Sequence, residues 1–166
     1  MKTVDELTPA EFVLPPLHQA ARQRDLEKAR SLLAAGANVN ELDHRASNGD
    51  GGNAPLWYAA QGMPPGGVPI AQLLIKAGAQ VNQPGEFGMT ALHIACSWGH
   101  LDMVRFLHQQ GADLEIEDDS GRTPVSLAKA DYSEGLTTPE KDRQPSWDAW
   151  LEGIAAINDY FNTLKP

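Results

Sequence analysis

The sequence predicts an all-α solenoid of stacked helix-turn-helix units with β-hairpin-like loops between them, and three observations carry that prediction. A Gly-Ala-led string recurs as GANVN from Gly36, GAQVN from Gly78 and GADLE from Gly111. A second string recurs upstream of it, as PLHQAA at Pro16, PLWYAA at Pro55, ALHIAC at Ala91 and PVSLAK at Pro124. The distance between the two strings repeats: Leu17 to Gly36 is 19 residues and Leu92 to Gly111 is 19. Self-similarity of this kind marks units that cannot bury an apolar face alone and stack to build a continuous core.

The elements follow in order. At the front, Thr8-Pro9-Ala10-Glu11 is a capping-box signal, so residues 1–15 read as a leader with a short capping helix. Each copy of the second string opens a helix. Thr90 and Thr123 are placed as N-caps, and Pro124 sits at the first helical position, where its missing donor costs nothing. The alanines at 20, 59, 95 and 128 keep these first helices thin, so neighbouring units can approach closely. Gly99-His100 ends a first helix in a left-handed turn. Leu101, Val104 and Leu107 then recur at helical spacing, with Met103 and Phe106 on a second apolar side, and Gly111 stops that helix. A helix apolar on more than one side needs cover on both, as inside a stack.

From Leu92 to Val125 the step is 33 residues, with Thr90 and Thr123 at matching places and a glycine two residues before each. On these residues the chain resembles the ankyrin-repeat family: GMTALHIACSWGHLDMVRFLHQQGADLEIED from Gly88 to Asp118 follows its repeat, and DSGRTPVSLAKA begins another. The resemblance covers about Pro16 to Ala130, with units near 16–42, 43–83, 84–117 and 118–130 onward. It implies that His18 and His93 are structural imidazoles hydrogen-bonding backbone between units. Trp57 and Ser126 replace this histidine in the other copies.

The period stretches in the second unit. Gly36 to Gly78 is 42 residues, nine more than 33. Six of the nine fall in the loop holding HRASNGDGGN, because Asn40 to Pro55 is 15 where Asn82 to Ala91 is 9. The other three sit in GMPPGGVP between two helices. Residues 131–166 depart from the pattern altogether: a polar loop from Tyr132 to Pro145, then a long capping helix. Ser146 is placed to cap it, with Trp147, Trp150, Leu151, Ile154, Ile157, Phe161 and Leu164 along one stripe. A detached partner-binding helix is the alternative for this segment.

Composition bounds the function. The 166 residues suit one domain, and 13 Lys plus Arg against 22 Asp plus Glu leave a formal charge of −9. Nucleic acid is expected to be repelled, and a basic protein partner is favoured. The single cysteine, Cys96, requires no oxidising compartment, and no secretory signal or bilayer-length apolar run is apparent. A cytoplasmic protein, monomeric when free and without membrane attachment, is expected. No cofactor or metal is expected, since the run Glu115, Glu117, Asp118, Asp119 lacks the spacing of a calcium loop, and no nucleophile or phosphate-binding motif is present.

The resemblance implies a non-catalytic protein-binding module that uses hairpin tips and the concave side of its first helices. On those positions the expected partner-binding residues are Tyr58, Trp98 and Phe87, joined by Trp57, as an aromatic patch, with Ile94 on a first helix, His44 in the inserted loop, and Arg45, Glu86 and Arg122 at charged tips; packing of Trp98 and Phe87 over neighbouring units is the alternative. An immunity or antitoxin protein that neutralises a basic toxin, and an assembly subunit of a larger complex, are the alternatives. An enzyme using the inserted loop around His44 ranks last.

Overall fold

A computed structural model describes residues 14–43, 52–62, 66–129 and 145–164. The expected leader helix, His44 and Arg45 of the inserted loop, and the polar loop before the last helix lie outside the described residues. Among the described residues there are eight α-helices and no strand: α1 (Pro16–Gln23), α2 (Leu26–Ala34), α3 (Pro55–Ala60), α4 (Val68–Lys76), α5 (Ala91–Ser97), α6 (Leu101–Gln109), α7 (Pro124–Lys129) and α8 (Pro145–Thr163).

The helices form two layers. The short first helices α1, α3, α5 and α7 pack in series, and each also packs against its own second helix, α2, α4, α6 or α8. Close stacking depends on small side chains: Ala20, Ala21, Ala59, Ala60, Ala95, Cys96 and Ala128 are buried between Leu17, Leu56, Leu92 and Leu127. The second layer buries Ile70, Leu74, Val104, Leu107 and Ile157. Every one of these contacts removes apolar area from water, which is the dominant favourable term in folding.

Helix ends follow the local chemistry. Proline occupies the first turn of α1, α3 and α4, where no N–H is needed. Thr90 accepts from the backbone at the start of α5 while its own N–H donates to His93 Nδ1 at 3.2 Å, a reciprocal box with histidine in the usual glutamate place. Asp25 caps α2 by accepting from the Lys28 N–H at 2.9 Å. At the far end of α6, Gly111 sits at φ +87°, letting its N–H reach the His108 carbonyl and the Ala112 N–H reach the Leu107 carbonyl. The same pair of bonds closes α2 and α4.

α8 lies against α5, α6 and α7, in the place that a second helix takes in the other units. Its backbone passes directly over the α5–α6 turn, where a Cβ on Gly153 would fall 2.1 Å from the Gly99 carbonyl oxygen. Polar bonds fix its rotation: Trp150 Nε1 donates to the Ser97 carbonyl at 2.9 Å, and Asn158 Nδ2 to the Ala128 carbonyl at 2.6 Å. Ile154, Ile157 and Phe161 of the expected stripe are buried, while Leu164 is exposed. The helix begins at Pro145, so Ser146 lies inside its first turn and not at the cap. No helix among the described residues is long and apolar enough to cross a membrane.

Candidate functional site

The hairpin-like tips share one backbone rung. Asp43 N–H donates to the Asn53 carbonyl, Gly85 N–H to the Met89 carbonyl and Asp118 N–H to the Arg122 carbonyl. The rung spans four residues in the last two tips and ten in the first, so the six extra residues of the stretched period sit between Asp43 and Asn53. The base of this tip, Asp43 and Asn53, therefore keeps the register of its neighbours.

Adjacent tips are tied to one another. Asn53 Oδ1 accepts from the Glu86 N–H at 2.8 Å, and the Phe87 carbonyl accepts from the Asp119 N–H at 3.0 Å. Deeper in the loops, Asn40 receives the Gln80 N–H and donates to the Gly78 carbonyl, and Asn82 repeats this with Asp113 and Gly111. Such a ladder satisfies backbone groups that no strand would otherwise pair, and it makes the tips one rigid edge.

Imidazoles brace the tips from beneath. His18 Nε2–H donates to the Glu41 carbonyl at 2.8 Å and His93 Nε2–H to the Arg122 carbonyl at 3.0 Å, the backbone role that the family resemblance implied. A carbonyl can only accept, so the proton sits on Nε2 in both. His100 works at the other end, donating from Nδ1 to the Ala60 carbonyl at 3.1 Å. Burial lowers the pKa of His18, His93 and His100 below the ordinary 6.5, outweighing the upward pull of these backbone bonds. Burial likewise pushes the Cys96 thiol far up, so it is no activated nucleophile. For Asp118, burial acts upward but is outweighed by the Arg122 guanidinium, 2.8 Å away, and by the backbone N–H groups of Ser120 and Arg122, so its pKa is lowered.

The expected apolar patch is not one continuous open surface. Tyr58 and Ile94 are buried and do not lie open on the first helices. The reason is positional. The fourth residue of the recurring string faces the preceding unit; Tyr58 packs edge-on to His18 at 5.9 Å and its hydroxyl donates to Asp43 Oδ2. The equivalent Gln19, with no earlier described helix against it, is exposed. Trp57 is partly buried beside Tyr58, and its buried Nε1 has no hydrogen-bond partner among the described residues. Trp98 is partly buried, its ring 6.3 Å from that of His100.

What remains open is the row of tips. Phe87 is 55% exposed, Glu86 partly so, and Arg122 is exposed while held on Asp118. Here the Phe87 carbonyl is held by the Asp119 N–H and the Glu86 N–H by Asn53 Oδ1. Asn53 was detectable in principle, because it holds the rung place that Met89 and Arg122 hold in later units.

Ankyrin-repeat family models match residues 14–44, 51–86 and 74–128, most of the described stack. The chain belongs to the ankyrin-repeat family. Among known ankyrin-repeat proteins it is 41% identical over 113 residues to protein phosphatase 1 regulatory subunit 27 of Mus musculus, covering 68% of each chain. The human protein of that name is 44% identical over 69 residues, 42% of this chain and 45% of that one, so this match spans less than half of the relative. Cyclin-dependent kinase 4 inhibitor B of Homo sapiens is 35% identical over 114 residues, 68% of this chain and 75% of that one.

Proposed function

We propose that this ankyrin-repeat protein is a non-catalytic binding module that holds a basic protein partner against its row of hairpin tips and regulates it by occupancy. The observation that carries the reading is the edge itself: the tips are tied unit to unit by backbone and asparagine bonds, so their exposed side chains are presented on a preorganised surface. Relatives named as a regulatory subunit and as a kinase inhibitor support action on another protein. The excess of acidic over basic residues, 22 against 13, favours a partner of opposite charge and speeds its approach.

The test is capture of a partner on immobilised wild-type chain beside a Glu86→Lys/Asp119→Lys variant of unchanged circular dichroism. A partner retained by the wild type and lost from the variant supports the reading; one retained equally by both moves the interface off the tips. A second reading, a constant assembly subunit, is favoured by the name of the phosphatase relatives. Co-purification with one partner at fixed stoichiometry through every step would select it.

A further inference from the structure

We infer that Phe87 is the anchor of this interface, and that the surface it enters is an apolar socket on the partner, rimmed by lysine or arginine side chains. The inference rests on the protein-binding reading above and adds the residue and the chemistry it recognises.

Phe87 is the most exposed large hydrophobic side chain among the described residues. It also stands at φ +59°, where a side chain with a Cβ crowds the following carbonyl and glycine or asparagine is the ordinary choice. Its counterpart in the next tip is Ser120, which has no such φ, with Gly121 matching Gly88. Folding alone gives no reason for an aromatic here, since Phe87 makes no ring contact among the described residues. Arg24 is the one other non-glycine residue described at positive φ, and its guanidinium is engaged on the Gly62 carbonyl at 3.2 Å. At Phe87 the internal return is a backbone one, the Asp119 N–H on its carbonyl, which a glycine would supply equally well.

The tip is nevertheless fixed. Its 3-10 turn, Glu86–Gly88, is closed by Gly88 N–H to the Gly85 carbonyl at 3.1 Å and Met89 N–H to the Glu86 carbonyl at 3.2 Å. Asn53 holds one side of it and the Asp119 N–H the other. A rigid, exposed aromatic loses little entropy on binding and suits a buried interface centre.

Charge selects the occupant. The two tips 84–89 and 117–122 hold Glu86, Glu117, Asp118 and Asp119 against Arg122, and Arg122 is already engaged by Asp118. Asp118 is buried and paired with Arg122, which leaves Glu86, Glu117 and Asp119 as the open charges of the two tips; an exposed aromatic on such an acidic edge is complementary to an apolar socket with a cationic rim, and the edge repels an acidic surface or a nucleic acid.

The experiment measures the affinity of the purified partner for wild type, Phe87→Gly and Glu86→Gln/Asp119→Asn by calorimetry, with thermal melting of each free protein. Phe87→Gly relieves the backbone strain, so its melting temperature is expected to hold or rise while affinity falls at least tenfold. The amide pair is expected to weaken binding and flatten its salt dependence. A photo-crosslinker placed at 87 is expected to join an apolar segment flanked by Lys or Arg. Unchanged affinity of Phe87→Gly overturns the inference and leaves the protein-binding reading standing, whereas a wild type that binds no protein defeats both. A lower melting temperature of Phe87→Gly would make the ring structural, and wild-type dimers dispersed by Phe87→Gly would make the occupant a second copy; either overturns the inference.

Discussion

Three histidines, His18, His93 and His100, are held neutral in the interior by burial. In the unfolded chain they titrate near 6.5, so the unfolded state binds more protons once the pH drops below that value. Their contribution is complete above 6.5 and declines as pH falls toward the lowered folded values. Asp118 acts in a separate window: its folded pKa is below 3.8, so its contribution is present above that value and lost only in stronger acid. The urea midpoint is therefore expected to fall between pH 7.5 and 5.5, and a flat profile would show that the imidazoles are not protected from protonation. Tyr58 makes a second, independent case. Removing its hydroxyl with Tyr58→Phe strips a donor from the buried Asp43 carboxylate and is expected to cost about 1–3 kcal/mol by chemical denaturation. Partner affinity of the folded variant should not change, because Tyr58 is buried; a loss of affinity at full stability would restore it to the interface.

Helix pairs and loops divide into those that local signals specify and those that only packing specifies. The stops at Gly36, Gly78 and Gly111, the cap at Thr90 and the six-residue insertion were legible because each is a local backbone requirement with a fixed residue type. The burial of Tyr58 and Ile94 was not, since the string looks the same in every unit and only the preceding unit decides whether its fourth position is covered. Likewise the aromatic stripe of α8 announced burial, but its seating depends on Gly153 meeting the Gly99 backbone, a pairing of two distant glycines that periodicity does not reveal. Gly153→Ala is expected to lift α8, costing about 1–3 kcal/mol as an overpacking change and altering Trp150 fluorescence. Gly111→Ala meets nothing within 4 Å, but it places a Cβ at φ +87°, so its cost is local backbone strain. Its expected cost is about 1–2 kcal/mol, with α8 unmoved. Equal spectra for the two variants would contradict the docking of α8.

The stack as a whole is a series of like units, and the chain's net charge of −9 acts over distances set by salt. Association with a basic partner is expected to slow severalfold between 0.05 and 0.5 M salt, a range over which the Debye length drops from about 14 to about 4 Å. Salt-independent association by stopped flow would mean that the charge is a solubility feature and no steering device. Family and helical layers could be read from the sequence because they recur; the bonds that tie the tips of different units together could not, because they join residues that no local pattern pairs. The most direct measurement is hydrogen exchange of the free chain against its complex. Slowed exchange concentrated at residues 84–89 and 117–122, with α2, α4 and α6 unchanged, is the expected result, and protection confined to those second helices would contradict binding at the tips.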